Sequence, residues 1–295
     1  MEASLERISQ LPDALLVKIL SSLPTTKVVA TTLLSKQWRS IWNMVPSLKF
    51  ICNGGNDLEG FIRRTMLSLE ALYLQSLHMD VSLGQARNLC NTLRQTIRAI
   101  LFRYIRCALE TLKLRGKFGS IALQVPSPVC LKSLRTLHLE DLFYQDDESV
   151  VKFLAGCVSL EDLFVTRWGC DGVDTFTIAV PSLQELTIED DVTIRPDLVM
   201  INAPELVEAK IWTRGVFGES LTSVKRLSLR MSRMEIPAGS IFNQLEYLQL
   251  LTSDPESWKL LRFMLDNSPN LQVLDIFSVS IASSTFHKKY CSSLV

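Results

Sequence analysis

Few residues in this chain could do chemistry. Cys157, in the run Ala155-Gly156-Cys157, is the best candidate nucleophile, and the triplet Glu189-Asp190-Asp191 is the best candidate cation site. A cysteine attacks only as its thiolate, which needs a neighbouring histidine or cation to lower the thiol pKa. The whole chain of 295 residues has three His, and none falls near Cys157 in the repeat register described below, so the thiol reads as a small buried hydrophobe. Acids at the end of a predicted strand read as a solvated turn before they read as ligands for a hard cation. Neither phosphate-cradling glycine pattern, G-x-x-x-x-G-K-S/T or G-x-G-x-x-G, occurs. The expectation is a protein that is not an enzyme, with no catalytic residues, no metal site and no cofactor.

Composition excludes further classes. Thirty-one basic and 31 acidic side chains cancel to a net charge of zero, which leaves no long-range field to draw in nucleic acid or an anionic membrane. The seven cysteines, Cys52, Cys90, Cys107, Cys130, Cys157, Cys170 and Cys291, form no C-x-x-C pair. That argues against a disulfide framework and a zinc site, and for a reducing compartment. Glu2 and Glu6 stand where a signal peptide would be basic and apolar, and no run approaches the ~18 apolar residues of a membrane span. The chain is therefore expected to be soluble, in cytoplasm or nucleus. Arg94, Arg98, Arg103 and Arg106, interleaved with apolar residues, read as a helix with a cationic, solvated face; an acidic partner or RNA is the weaker reading.

The elements that must position any binding residue are more legible. Leu-x-x-Leu-x-Leu recurs eight times, beginning at Leu109, Leu134, Leu160, Leu183, Leu206, Val224, Leu245 and Leu271. The starts lie 18 to 26 residues apart, close to the 20 to 29 residue period of leucine-rich repeats. Each unit predicts a short strand with its leucines turned to a core that neighbouring units complete by stacking in parallel. Between the strands, Asp146, Asp147 and Glu148 suit the positive end of a helix through Val150, Val151, Phe153 and Leu154 to Gly156, and residues 258–265 read as a second returning helix. The x positions face outward, where a bound protein would meet them. Aromatics and arginine concentrate binding energy, so the candidate target-binding residues are Phe164, Trp212, Arg226, Arg230, Tyr247 and Phe277.

The stretch from Ile8 to Trp42 carries more apolar surface than so short a segment can bury in itself. At helical spacing Leu15, Leu16, Ile19, Leu20 and Leu23 make one stripe that Pro24 ends, and a second predicted helix covers residues 27–34 with Val28, Val29 and Leu33 inward. A partner is expected to cover the remainder. The run Leu11-Pro12-Asp13, Ile19-Leu20, Leu23-Pro24, Val28-Val29-Ala30-Thr31, Leu34-Ser35-Lys36 and Trp38 resembles the plant F-box.

That resemblance implies a three-helix module that docks on a Skp-type adaptor and so joins a cullin-based SCF ubiquitin ligase. The matching adaptor-contacting positions are Leu11, Pro12, Leu15, Ile19, Leu20, Leu23, Pro24, Val28, Leu34 and Trp38. The repeats are similar to those of plant F-box proteins with an FBD-type C-terminus, with two departures: residues 85–107 are arginine-rich where that family continues the repeat, and nothing matches the FBD. The expected fold class is α/β, a three-helix F-box followed by a leucine-rich-repeat solenoid with a parallel sheet on its concave face. The expected division is F-box over residues 1–47, linker over 48–60, solenoid over 61–281 and a disordered tail over 282–295. The implied role is a substrate receptor of an SCF-type ligase that brings in an unidentified protein target. The alternative is a short form that occupies the adaptor without delivering a target.

Overall fold

The structure is a computed structural model that describes residues 8, 10–52, 60–62, 64–65, 74–81, 109–116, 122–123, 130–167, 171–190, 198–213, 215–217, 219–231, 239–252 and 257–278. Residues 53–59 of the expected linker, the arginine-rich stretch 85–107, Asp191 and the expected tail all lie outside these residues.

Three helices lie between residues 13 and 42, and proline sets two of their starts. Helix α1 (Asp13–Ser21) follows Pro12, carries Asp13 in its first turn and buries Leu16 and Leu20, one turn apart. Helix α2 (Thr25–Thr31) begins directly after Pro24 and turns Val28 inward. In α3 (Lys36–Trp42), the Ser35 hydroxyl caps the first turn by accepting from the Trp38 N–H at 3.5 Å, and Trp38, Ile41 and Trp42 are buried. One expectation is corrected. The second helix starts at Thr25 and stops at Thr31, so Leu33 falls in the turn beyond it and is 82% exposed. Helical spacing from Val28 and Val29 predicts an inward Leu33, but Thr31 and Thr32 turn their hydroxyls back onto the Val28 and Val29 carbonyls, at 2.7 Å each, where the helix ends.

Ten parallel strands form the main sheet. They are β1 (Ser47–Cys52), β2 (Ser76–Val81), β3 (Thr111–Arg115), β5 (Thr136–Glu140), β7 (Asp162–Arg167), β9 (Glu185–Asp190), β11 (Glu208–Trp212), β13 (Arg226–Met231), β14 (Tyr247–Thr252) and β15 (Val273–Ser278), hydrogen-bonded in that order. The last eight are the eight predicted units. Their register aligns Leu112, Leu137, Leu163, Leu186, Ala209, Leu227, Leu248 and Leu274 in one inward row.

Strands β1 and β2 were missed. They obey the same pattern as Val45-x-x-Leu48-x-Phe50 and Leu74-x-x-Leu77-x-Met79, with all six side chains buried. Phe and Met fill the last position, where the other units carry Leu, Ile or Val. Residues 48–52 of the expected linker are therefore a rung of the sheet.

A repeated hydrogen bond fixes the register. In each unit one carbonyl just before the strand accepts two N–H groups from the next unit. The Pro46 carbonyl takes Gln75 and Ser76 at 2.8 and 3.0 Å, Arg135 takes Glu161 and Asp162 at 2.9 Å each, and Glu246 takes Gln272 and Val273 at 2.9 and 3.0 Å. A one-residue slip would break these pairs and turn every leucine to solvent.

Smaller parallel sheets line the opposite side of the core: β8 (Thr175–Ala179), β10 (Leu198–Asn202) and β12 (Gly215–Phe217) in one, β4 (Ala122–Leu123) and β6 (Phe143–Tyr144) in the other. Helix α4 (Asp147–Ala155) starts where expected, with the Asp146 carboxylate accepting from the Ser149 N–H at 2.7 Å. The next carboxylate, Asp147, accepts from the Asp174 and Thr175 N–H groups at 3.0 and 3.1 Å and ties the helix to β8. Helix α5 (Ser257–Asp266) returns the chain to β15. One apolar core runs unbroken from Leu16 in α1 to Met264 in α5.

Candidate interaction surfaces

The helical module divides its apolar residues between two faces. Leu16, Leu20, Val28 and Trp38 enter the core, and Leu11, Leu23 and Pro24 are half-buried. Pro12, Leu15 (48% exposed), Ile19 (45%) and Leu34 (50%) face out beside Leu33. Of the ten candidate adaptor residues, Leu20, Val28 and Trp38 thus support the surface from below, while Pro12, Leu15, Ile19 and Leu34 form it. Leu33 was not among the candidates. Its signal was the adjacent pair Leu33-Leu34 at a helix end, which a helical wheel misplaces. Three leucines and an isoleucine left in water by so small a module are an unusual concentration of exposed apolar surface.

On the sheet, the outward side chains form three rows. The first runs Ser47, Ser76, Thr111, Thr136, Asp162, Glu185, Glu208, Arg226, Tyr247, Val273. In the middle row stand Lys49, His78, Lys113, His138, Phe164, Thr187, Lys210, Ser228, Gln249 and Asp275. The third holds Asp80, Arg115, Glu140, Thr166, Glu189 and Trp212, then Arg230, Leu251 and Phe277.

The rows sort the six candidate target-binding residues into groups. Arg226 and Tyr247 are register neighbours, with the guanidinium 4.5 Å from the ring centroid. Glu208 holds Arg226 from the other side at 3.2 Å and also takes Lys210 at 2.7 Å. The Tyr247 hydroxyl donates to Asp275 at 2.6 Å; burial, and then that carboxylate, push its pKa up to about 12. Arg230 and Phe277 stand at the other end of the same strands, flanking Leu251, with Trp212 beside Glu189. Arg226 and Arg230 are four residues apart on β13, about 13 Å along the strand. Phe164 is elsewhere: it packs on His138 with ring centroids 5.1 Å apart, and β9 and β11 separate its strand from β13.

Electrostatics along the rows is uneven. Asp162, Glu185 and Glu208 are consecutive in register, and Asp162 has its pKa raised by burial and then by Glu185. The His138 pKa is lowered to about 4 by burial, by Lys113 and by His78. The folded chain therefore favours the neutral ring, so this contribution to stability is complete above the ordinary imidazole pKa of 6.5 and is lost as pH falls from there toward about 4. Replacing His138 with Gln removes that loss. The melting temperature of His138→Gln relative to the parent is expected to rise between pH 7.5 and pH 5; a difference that stays flat would mean a freely solvated imidazole.

The candidates for chemistry come to little among the described residues. Cys157 is fully buried, its thiol donates to the Phe153 carbonyl at 3.5 Å, and burial pushes its pKa up to about 12, the opposite of an activated thiolate. Asp190 lies 3.9 Å from the buried Arg167 guanidinium. No group of three or more His, Cys, Asp or Glu that could hold a metal occurs among the described residues. No helix among them is long and apolar enough to cross a membrane.

Comparison with known proteins follows the same division. The model of the F-box domain matches residues 8–50, the three helices and the start of β1. The Leucine Rich Repeat model matches residues 133–157, the unit of β5 and α4. An F-box/FBD/LRR-repeat protein of Arabidopsis thaliana is 41% identical over 328 residues, 92% of this chain and 75% of the relative. A second of the same description is 41% identical over 338 residues, 93% of this chain and 75% of the relative. An F-box/LRR-repeat protein of the same plant is 40% identical over 282 residues, 78% of this chain and 92% of its own length. The matched span of 328 residues exceeds this chain's own 295, so the first relative carries residues within it that have no counterpart here.

Proposed function

Because the chain belongs to the plant family of F-box/leucine-rich-repeat proteins, we propose that it is the non-catalytic substrate-recognition subunit of an SCF-type ubiquitin ligase. Its helical module docks on a Skp-type adaptor, and through it on a cullin, while the outward rows of the sheet receive a protein target. The observation that carries this reading is the exposed set Leu15, Ile19, Leu33 and Leu34 on a module whose inner side is already filled by Leu16, Leu20, Val28 and Trp38. Covering those four side chains supplies the apolar centre that a stable interface needs. The receptor supplies proximity and orientation, and the transfer chemistry belongs to other subunits. On the target side the first residues to examine are Arg226 with Tyr247, then Trp212, Arg230 and Phe277, then Phe164. The working compartment is cytoplasm or nucleus.

The test is co-expression with a Skp-type adaptor, followed by size-exclusion chromatography with mass detection. The parent chain is expected to elute as a one-to-one complex. The triple change Leu15→Asp, Ile19→Asp and Leu34→Asp should weaken it more than about 100-fold, since three hot-spot positions are lost together. These side chains are exposed, so circular dichroism of the variant should match the parent. Undiminished binding would refute the docking surface.

A further inference from the structure

The first four rungs of the sheet carry a pattern that the aromatic and arginine candidates do not use. Their first row is Ser47, Ser76, Thr111 and Thr136, all hydroxyls; the row beside it is Lys49, His78, Lys113 and His138. All eight side chains are half-exposed. Adjacent rungs are ~4.8 Å apart, so each row offers a donor at every step. The third row is different in kind, because Arg115 there is already held by Glu140 at 3.3 Å and Asp80 at 3.9 Å.

Lys49 and Lys113 differ from the paired cations of this face. Arg115 has two carboxylates, and Lys210 and Arg226 share Glu208. Lys49 and Lys113 have no carboxylate within 4.0 Å among the described residues. Their unbalanced charge is felt by the ring between them: the His78 pKa is lowered by burial and then by Lys49, with Lys113 and Arg115 adding to it and Asp80 opposing. Two ammonium groups, two imidazoles and four hydroxyls thus stand together on one face, with the Asp162 carboxylate 3.9 Å from His138 Nε2 at its edge.

We infer that this double row is an anion ladder that receives an extended, phosphorylated segment of the target protein, running across the strands. The inference rests on the receptor reading above and names the class of target. A phosphate group carries close to two charges and three acceptor oxygens, which a lysine, an imidazole N–H and a hydroxyl can share. The planar fork of arginine serves carboxylate and phosphate alike, and the arginine nearest these rows is already engaged; lysine acts as a point charge, for which the near-double charge of a phosphate gives the larger attraction. Spacing sets the form of the segment. Lys49 and Lys113 are two rungs apart, about 10 Å, and three residues of extended chain span about 10 Å, so phosphoserines at positions i and i+3 fall on the two lysines. Asp80 and Glu140 flank the ladder and disfavour a broad anionic membrane, and the zero net charge of the chain disfavours nucleic acid.

The probe is a fluorescent seven-residue Gly/Ala peptide with phosphoserines three positions apart, titrated into the chain–adaptor complex and followed by anisotropy. It should bind at least about tenfold tighter than its unphosphorylated twin, and Lys49→Ala with Lys113→Ala should lose that advantage. Co-elution with the adaptor should not change. Equal affinity for the two peptides would overturn the inference. So would an advantage that survives the double substitution, or binding of phosphoinositide vesicles or a single-stranded oligonucleotide in place of the peptide. If the adaptor complex itself does not form, the receptor reading falls, and the same titration on the chain alone decides the ladder.

Discussion

Asp171→Ala is expected to cost about 3 to 5 kcal/mol of folding stability, a fall in melting temperature on the order of 10 °C for a chain of this size. The carboxylate is bidentate on Arg167, taking Nε at 2.6 Å and Nη2 at 3.1 Å, and it also accepts the Val173 N–H at 3.2 Å. Both side chains are almost wholly buried, and the guanidinium lies 5.1 Å over the Phe176 ring. Removing the acid alone strands a cation in the core, with Asp190 3.9 Å away as the remaining described acid. The double change Arg167→Met with Asp171→Leu removes both charges and should be less damaging than the single change. Urea unfolding of the three proteins checks this. A single variant within about 1 kcal/mol of the parent would mean that water reaches the pair.

The second large effect lies one residue further on. Gly172 has φ +89°, and a Cβ there would collide with the Tyr144 carbonyl oxygen and stand 3.0 Å from the Phe143 ring. The loop cannot move away cheaply, because the Asp171 carbonyl accepts the Tyr144 N–H at 2.7 Å. Gly239 is the natural control. Its φ is +88°, with no described atom within 4 Å of the added Cβ. Gly239→Ala carries only the backbone cost of a left-handed alanine, about 1 to 2 kcal/mol, while Gly172→Ala adds displacement of a buried carbonyl and should reach about 3 kcal/mol or more. Equal losses in parallel thermal melts would mean that the close approach is not maintained in solution.

Neither of these features was legible beforehand, for a physical reason. Arg167 and Asp171 are four apart in sequence, but Arg167 ends β7 and Asp171 precedes β8, so no single periodicity relates them. The repeats were legible because a parallel stack demands the same thing of every unit, three inward apolar residues at fixed spacing. Strands β1 and β2 escaped because Phe50 and Met79 satisfy that demand with unfamiliar side chains. On the helices, the stripe at Leu15, Leu16, Ile19 and Leu20 was visible, but one stripe served two surfaces. Spacing alone does not tell Leu16 and Leu20, which fill the core, from Leu15 and Ile19, which are left outside. Outward positions followed from strand alternation. Which of them gather required the order of the rungs, and this order separates Phe164 from the Arg226 and Tyr247 pair.

The join between the helices and the first rung has a metric consequence. Strand β1 begins five residues after α3 ends, the Thr25 hydroxyl of α2 accepts the Lys49 N–H at 2.8 Å, and the apolar core is continuous across the two. There is no slack at this point to average out orientation. Ten rungs then place β15 roughly 40 Å from β1 along the sheet. On the receptor reading, the chain is a gauge with steps of ~4.8 Å: a target seated one rung further on is offset by one whole step from the docked assembly. Which lysine of that target comes within range is then chosen by the rung, in discrete increments, before any preference of the transfer chemistry is felt.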